Sequence, residues 1–392
     1  MTVNAPVADP LKAFERLPLL PFALCFGLAC SKSTASPPAP TSASAVPSSH
    51  VVAAEEQSSA SAFALIAKPS GLRLIWASAA PGPDWLLEAE LGHRGERRAA
   101  DRALQVPPHT LGKVTDLTAT SWGELLALAW LEQGSHEARA QASVYDAGKA
   151  PALLDLGPAA LVAEAARGNI AIAPEPERGR ALVLWRGLEA PCVDAQAGPC
   201  TGFTFRRIGS SVADATGLPL SVPVPCASHS VQLATAAGRF HYGVCTREGT
   251  DPLTTMFSIQ YDPEYARAEP LLKGCTPLGT IDAGERAWLV GDCHGKRRAV
   301  PMPLMDEKVE VESIDNLAIS CTAQRLELRQ GRFTLRLREP RAGLEAVLPA
   351  GFVPTGARVG WSGSTLLSVF KAGSRLETRA YACRDGKLEP LP

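Results

Sequence analysis

One local pattern recurs along the chain beyond residue 61: a glycine is followed by a run of mostly apolar residues. In several copies apolar and polar residues alternate with a period of two, which is typical of β-strands. Successive glycines are separated by 52, 45, 70, 46, 47 and 32 residues, so the common interval is about 47 residues. The pattern predicts a chain built from similar antiparallel units. Its copies begin at Gly71, Gly123, Gly168, Gly238, Gly284, Gly331 and Gly363.

Repeats of about 40 to 50 residues made of short antiparallel strands are typical of a β-propeller. One four-stranded unit cannot bury both of its faces alone, whereas units packed radially bury each other. Dividing the region 61–392 by the repeat length predicts about seven blades, within a range of about six to eight. A pair of β-sandwiches is the alternative fold, although it would give a less regular spacing.

The first 29 residues have the composition of a signal peptide. Residues 17–29 form one uncharged apolar run of 13 residues, which suits a signal-peptide core and is too short to span a bilayer as a helix. Lys12 and Arg16 precede this run, as the positively charged start of a signal peptide requires. We therefore expect residues 1–29 to direct export.

The end of the apolar run, Gly27-Leu28-Ala29-Cys30, resembles the lipobox of bacterial lipoproteins. The resemblance implies that diacylglycerol is attached to the Cys30 thiol and that the chain is cut before this residue. Residues 30–60 are rich in Ser, Ala, Pro and Thr, which predicts a disordered tether ahead of a folded domain at 61–392. The expected location is the cell envelope, at the outer membrane or the periplasmic face; plain secretion and a buried apolar segment are the alternatives.

The ten cysteines indicate disulfides. Cys25 would leave with the signal peptide and Cys30 would carry the lipid, so eight remain, an even number in an exported protein. Eight cysteines allow about a hundred pairings, but local spacing and elimination favour one set. The favoured pairs are Cys192–Cys200, Cys226–Cys245, Cys275–Cys293 and Cys321–Cys383.

Few residue groups in the sequence suggest chemistry. Cys226-x-x-His229, His241-x-x-x-Cys245 and the adjacent Cys293-His294 could supply zinc ligands, but no CxxC pair accompanies them and disulfides suit an exported protein better. The sequence contains no H-E-x-x-H, no Walker A loop and no G-x-S-x-G motif. We therefore assign no catalytic, cofactor-binding or metal-binding residue and expect no cofactor.

The charge distribution narrows the class of partner. The net charge is −1, and acidic residues interrupt the densest basic cluster at 94–102, so nucleic acid binding is not expected. Contact with the membrane is expected through the lipid anchor only. The hypothesis is a non-catalytic envelope lipoprotein whose propeller presents a binding surface to an envelope protein or a polysaccharide. The alternative is a propeller-type hydrolase or lactonase with a metal in the central channel.

Overall fold

Nearly all regular structure in the described part of the chain is β-strand, with a 3₁₀ turn at Pro176–Arg178. The all-β prediction is therefore confirmed. None of the described residues belongs to a helix long and apolar enough to cross a membrane. The computed structural model describes residues 49–53, 62–68, 71–78, 84–106, 111–146, 151–161, 169–190, 200–209, 220–224, 232–236, 240–247, 253–259, 266–282, 287–302, 312–313, 318–322, 325–330, 333–338, 345, 347–348, 351–354 and 356–392.

The described strands form seven antiparallel sheets that follow one another along the chain. Five of these sheets have four strands, one has three and one has five. In sheets 1 to 6 the strands are hydrogen-bonded in chain order, so each strand turns back beside the previous one.

Sheet 1 contains β2 (Phe63–Lys68), β3 (Gly71–Ala77), β4 (Leu86–Leu91) and β5 (Arg102–Ala103). Sheet 2 contains β6 (Lys113–Trp122), β7 (Leu125–Gln133), β8 (Ala138–Tyr145) and β9 (Ala152–Ala159). Sheet 3 contains β10 (Ile170–Glu175), β11 (Arg180–Ala190), β12 (Cys200–Gly209) and β13 (Leu220–Val224). Sheet 4 contains β14 (Gln232–Ala236), β15 (Phe240–Arg247), β16 (Leu253–Ile259) and β17 (Ala266–Lys273).

Sheet 5 contains β18 (Cys275–Asp282), β19 (Ala287–Cys293), β20 (Lys296–Met302) and β21 (Glu312–Ser313). Sheet 6 contains β22 (Ala318–Thr322), β23 (Arg325–Gln330) and β24 (Phe333–Arg338). Sheet 7 contains β25 (Arg358–Ser362), β26 (Thr365–Ala372), β27 (Arg375–Arg384) and β28 (Lys387–Pro390), and it also takes in β1 (His50–Ala53).

Alternate side chains of a strand pack against two different neighbouring sheets. In β3, Leu72 and Trp76 belong to a buried cluster shared with sheet 7. The intervening Ile75 and Ala77 belong to a cluster shared with sheet 2. Strand β7 divides its side chains in the same way between sheets 1 and 3. The period of two in the sequence therefore reflects sheets that are packed face to face on both sides.

The first strands of successive sheets lie next to each other. Strand β2 contacts β6, β6 contacts β10, β10 contacts β14, and β14 contacts β18. Strand β25, the first of sheet 7, contacts β2, so the end of the sheet series meets its beginning. Sheets arranged about an axis with their first strands together form a β-propeller, which confirms the predicted fold class.

The outer edge of sheet 7 is formed from two distant parts of the chain. Strand β1 pairs with residues 376–378 of β27, and β28 pairs with residues 381–384 of the same strand. The prediction of a disordered tether over 30–60 was therefore wrong for His50–Ala53. These four residues include two β-branched valines, and pairing satisfies backbone groups at the edge of β27, a gain that composition does not reveal.

The glycine repeat marks different turns in different sheets. Gly123 and Gly363 lie between the first and second strands of their sheets, with φ values of 54° and 62° that glycine tolerates. In sheet 3 the equivalent residue is Gly179, whereas Gly168 lies outside the described residues, just ahead of the first strand. Gly331 precedes the third strand of sheet 6. These two shifts in phase explain why the spacings of 70 and 32 residues depart from the others.

Two disulfides expected from the sequence are present. Cys275 and Cys293 are directly opposite each other on β18 and β19, with their Cα atoms 4.1 Å apart. Cys321 on β22 is bonded to Cys383 on β27 across 62 residues of chain. The second bond therefore joins sheet 6 to sheet 7.

The other cysteines that the sequence singled out, and the proposed signal peptide, are described only in part or not at all. Cys30 and the proposed signal peptide at 1–29 are outside the described residues, as are Cys192 and Cys226. For Cys200 and Cys245 only the positions on β12 and β15 are described. Pairing of these four cysteines therefore stays a prediction.

Candidate functional site

The first strand of sheet 2 carries a buried carboxylate. The register of β6 against β7 shifts between Val114 and Asp116, which marks a bulge immediately before the acidic residue. Asp116 is only 1% exposed. The backbone N–H of Asn169 donates a hydrogen bond to Asp116 Oδ2 at 2.9 Å, which joins sheet 2 to the start of sheet 3.

The surroundings of Asp116 change its acidity. Burial raises the pKa of Asp116 from 3.8 to about 6, because the ionised carboxylate loses its hydration. The positive charge of Arg358 and three backbone N–H groups act in the opposite direction without cancelling the effect of burial. Perturbed carboxyl groups of this kind are found preferentially at functional sites.

Arg358 reaches from sheet 7 across the first strand of sheet 1. Its guanidinium carbon lies 5.6 Å from the centre of the Phe63 ring on β2, within the range of a cation–π contact. Its Nη2 donates to the carbonyl oxygen of Leu117 on β6 at 3.4 Å. One side chain therefore connects the first strands of sheets 7, 1 and 2 and brings positive charge towards Asp116.

Several buried polar atoms in this region have no hydrogen-bond partner among the described residues. They are Asp116 Oδ1, Asn169 Oδ1 and Nδ2, and Arg358 Nε. Each such atom costs about 1–3 kcal/mol when it is left unsatisfied. We call Asp116, Asn169 and Arg358 the inner polar group. Departures from full polar pairing tend to occur where a fold gives up stability for function.

An open cleft of about 470 Å³ lies between sheets 2 and 3. Its walls come from the β7–β8 turn, the end of β9 and a segment of β11. Arg186 lines this cleft, and its N–H donates to the carbonyl oxygen of Asn169 at 2.9 Å. This hydrogen bond therefore connects the cleft to Asn169 and, through it, to the inner polar group. The lining residues are 136–139, 158–161 and 186–188.

Two leucines line the cleft with more than half of their surface exposed. Leu161 is 51% exposed and Leu188 is 57% exposed. The register of β11 against β12 shifts at Leu188, which marks a bulge. The preceding Gly187 packs so closely that a Cβ atom there would lie 2.4 Å from Thr204 Oγ1. The bulge and its close backbone packing explain why an apolar side chain in a central strand faces solvent.

Hydrogen bonds join the two walls of the cleft. Trp185 Nε1 donates to the carbonyl oxygen of Pro158 at 3.0 Å. The N–H of Ala160 donates to the carbonyl oxygen of Arg186 at 3.0 Å. Trp185 itself is fully buried in the apolar cluster between sheets 2 and 3. The cleft is therefore a fixed feature of the packing between these sheets.

A second buried ionic group lies between sheets 3 and 4. Glu175 at the end of β10 accepts hydrogen bonds from Arg207 Nε at 3.0 Å and from Arg180 Nε at 2.7 Å. Burial alone would raise the pKa of Glu175, but the hydrogen bond from His241 and the charge of Arg207 outweigh it and lower the pKa to about 2. Because His241 lies on β15 of sheet 4, whereas Glu175 and both arginines lie on sheet 3, this group links the two sheets.

His241, one of the zinc-ligand candidates, is part of this ionic group. Its Nε2 lies 3.2 Å from Glu175 Oε1, and the side chain is buried. Cys226 and His229, from the same candidate set, lie outside the described residues. Within the part of the chain that the structure describes, no three His, Cys, Asp or Glu side chains are grouped to hold a metal ion.

A serine and a histidine approach each other where sheet 1 meets sheet 7. His93 Nδ1 lies 2.8 Å from the carbonyl oxygen of Ser362 and 3.3 Å from its Oγ. A carbonyl oxygen only accepts, so the shorter contact requires a proton on Nδ1. That nitrogen cannot then take the hydroxyl proton, and the pair is a structural contact rather than a nucleophile with its base.

Sequence reasoning did not single out the inner polar group or the cleft. Asp116, Asn169 and Arg358 are separated by 53 and 189 residues, so no local spacing connects them. The available signal was one acidic residue, Asp116, between Thr115 and Leu117 in the segment KVTDLTATSW, which the structure shows to be the first strand of sheet 2. The exposure of Leu188 depends on a bulge, which alternation alone does not predict.

Comparisons with known proteins concern the architecture. No family model matches the chain, and no curated protein matches it in sequence. It is similar in structure to a prolyl endopeptidase, with 12% identity and a TM-score of 0.42 over 86% of this chain, and it spans only 50% of that protein. It is also similar to the β-propeller domain of the Trilobed protease from Pyrococcus furiosus (10% identity, 88% of this chain, 97% of that chain, TM-score 0.42). A third similar structure is an α-L-arabinofuranosidase from Fusarium graminearum (7% identity, 86% of this chain, 99% of that chain, TM-score 0.42).

Proposed function

We propose that this protein is a non-catalytic binding protein of the cell envelope that holds a partner in the cleft between sheets 2 and 3. The observation that carries the proposal is the pair of half-exposed leucines, Leu161 and Leu188, in a cleft with hydrogen-bonded walls. Exposed apolar side chains with a polar rim mark interaction sites. A preformed cleft also lowers the entropy lost when a partner binds.

The proposed scaffold is a single ring in which the seven sheets serve as seven blades. Its support is the succession of contacts between first strands, together with the contacts that β22 of sheet 6 makes with β27 and β28 of sheet 7. In such a ring the loops at one end of the strands form a continuous surface, and the cleft would open on it.

The proposed location is the cell envelope, with lipid on Cys30 after removal of residues 1–29 and a tether that ends near β1. The sequence Gly27-Leu28-Ala29-Cys30 and the two disulfides support export, because disulfides persist in oxidising compartments. Labelled fatty acid should be incorporated into the wild-type protein and not into Cys30→Ala. Equal incorporation into both would refute the anchor.

Binding at the cleft can be tested by photo-crosslinking in intact cells. A photoreactive amino acid replaces Leu188 in one variant and Leu161 in a second. The matched control replaces Leu278, which is 45% exposed on β18 of sheet 5, away from the cleft. We expect one discrete crosslinked product from the two cleft positions and not from the control. Identical products from all three positions, or none from the cleft, would contradict the proposal.

A second candidate function is hydrolysis, because a carboxyl group with a pKa of about 6 can act as a general acid. Asp116 is the group in question, and its side chain is closed to solvent, so the strands around it would have to open. Turnover of lactone or glycoside substrates by the wild-type protein, lost in Asp116→Asn, would favour this function over binding alone.

A further inference from the structure

We infer that the outer edge of β1 is a surface through which two copies of this chain pair, strand against strand. The inference goes beyond the proposed binding function, because it concerns sheet 7 and not the cleft between sheets 2 and 3. It follows from three features of β1: its open edge, its lack of the residues that protect the other edges, and its fit to a second copy of itself.

The edge of β1 is open among the described strands. Two strands that run in the same direction cover the outer edge of β27, β28 over residues 381–384 and β1 over residues 376–378. Strand β1 is hydrogen-bonded to β27 alone, so its other side presents backbone groups that another strand can pair with. Val51 lies directly opposite Glu377 of β27 and is 48% exposed.

The other edges in the described part of the chain carry residues that discourage pairing. The last described strand of each of sheets 1 to 6, and β28 in sheet 7, contain a charged residue or a proline, as protected edges commonly do. Strand β1, with the sequence His-Val-Val-Ala, contains neither. Its register against β27 shifts between Val51 and Ala53, so the open edge is a short stretch around Val51. The protective residues of sheets 1 to 6 include Arg102, Asp155, Pro223, Pro270, Glu312 and Arg336.

A second copy of β1 is the occupant that fits this edge. An antiparallel pair about a two-fold axis places the same strand on both sides, so each copy presents the edge that the other needs. Uncharged β-branched residues then meet without repulsion between like charges. The upstream segment of the same chain is a poor alternative, because residues 37–47 contain four prolines, which have no N–H to donate.

Pairing through β1 alone is weak in dilute solution. Two strands of four residues bury far less surface than the roughly 1,200 Å² of a stable interface. Copies that the proposed lipid on Cys30 holds on one membrane meet at a much higher effective concentration. We therefore expect the pair to form in the cell envelope, where the anchored chains are close together.

The test is photo-crosslinking of the full chain in intact cells. A photoreactive amino acid replaces Ser49, which is exposed and immediately precedes β1, and the control position is Leu278 on sheet 5. The Ser49 position is examined in the wild type, in Val51→Lys and in Val51→Thr. Val51→Lys puts a charge on the pairing edge while its opposite charge faces Glu377, so the contact of β1 with β27 is kept. Val51→Thr is the matched control, because it stays β-branched and uncharged.

We expect a product with twice the mass of the chain, in which mass spectrometry finds this chain alone, from Ser49 in the wild type and in Val51→Thr. Val51→Lys should give at least about fivefold less of it, and Leu278 should give none. The urea midpoint of Val51→Lys should stay at the wild-type value; if this variant does not fold, the product from Ser49 in the wild type still decides.

Three results would overturn the inference: no product of double mass from Ser49, a product that joins this chain to a different protein, or equal yields in Val51→Lys and Val51→Thr. Crosslinking from Leu188 tests the cleft, and fatty-acid labelling tests the anchor. Because neither measurement involves β1, failure of the pairing and failure of the proposed function can be told apart.

Discussion

Replacing Asp116 by asparagine should make the protein more stable at neutral pH. The folded state raises the pKa of this group from 3.8 to about 6, so it holds the proton more tightly than the unfolded chain does. Stability is therefore lost as the pH rises from 3.8 to about 6, and the loss is complete above that range. The shift is about two pKa units, and each unit corresponds to about 1.4 kcal/mol, which gives about 3 kcal/mol at pH 7.5.

Asparagine is the appropriate replacement because it matches the shape of aspartate without its charge. Its side-chain oxygen can still accept the hydrogen bond that the Asn169 N–H donates at 2.9 Å. The variant should therefore escape the cost of burying a charge while it keeps this contact between sheets 2 and 3. Relative to the wild type, Asp116→Asn should gain up to about 3 kcal/mol at pH 7.5 and close to nothing below pH 4.

The assay is equilibrium unfolding in urea, followed by tryptophan fluorescence under non-reducing conditions at several pH values between 3.5 and 8. The chain has seven tryptophans, several of them fully buried, so the signal reports on most of the sheets. The control is Asp84→Asn, which removes an exposed carboxylate and should change stability by less than about 0.5 kcal/mol. A gain that is absent at pH 7.5, or that is equal at pH 4 and pH 7.5, would refute the reasoning.

Three further changes test other parts of the structure. Glu175→Gln should destabilise the protein by about 3 kcal/mol above pH 5, because the folded state lowers the pKa of this group from 4.5 to about 2. In the wild type this contribution to stability is lost as the pH falls from 4.5 to about 2, and urea unfolding across that range will measure it. Removing the bond between Cys321 and Cys383 by a double change to alanine should cost about 4 kcal/mol, from the 62-residue loop it closes, measured by the urea midpoint against the wild type. Gly187→Ala should cost about 1–3 kcal/mol by thermal unfolding, and Thr204→Ala in the same chain should recover most of the loss because it removes the atom 2.4 Å from the new Cβ.

The strands could be predicted from the sequence because the structure uses both faces of each sheet. Alternation in β3 separates Leu72 and Trp76 from Ile75, and these two sets pack against different sheets. The turn before a second strand could be predicted where its backbone needs a positive φ and therefore a glycine, as at Gly123. Where a glycine instead precedes a third strand in the sequence, as Gly331 precedes β24, the sequence does not say which two strands it separates. Which turn of each sheet contains the repeated glycine therefore follows from the pairing of the strands, and this pairing is a property of the tertiary structure.

Strand β1 shows why composition fails at the boundary of the domain. His50–Ala53 is too short to fold by itself and follows a segment rich in Ser, Ala and Pro. Its stability comes from β27, more than 300 residues away in the chain, which offers an open edge. The sequence around residues 50–53 does not reveal that this distant edge is available for pairing. The same limit applies to Arg358 and Leu117, whose hydrogen bond spans 241 residues.

Two buried carboxylates on neighbouring first strands, Asp116 and Glu175, have pKa shifts in opposite directions. Glu175 has a donor for each oxygen and its pKa falls, so it stabilises the contact between sheets 3 and 4 at neutral pH. Asp116 is equally buried, yet Oδ1 has no partner among the described residues and its pKa rises. At neutral pH an asparagine would serve the packing at this position better than the aspartate does.

A residue that lowers the stability of its own fold is expected where an activity needs it. Asp116 is connected to the cleft by two hydrogen bonds, from the Asn169 N–H and from the Arg186 N–H to the Asn169 carbonyl oxygen. Asp116→Asn therefore separates two cases when its stability is measured together with crosslinking from Leu188 in the same variant. A more stable variant with weaker binding would make the carboxylate part of the recognition site. A more stable variant with unchanged binding would restrict recognition to the cleft and leave the inner polar group with a separate role.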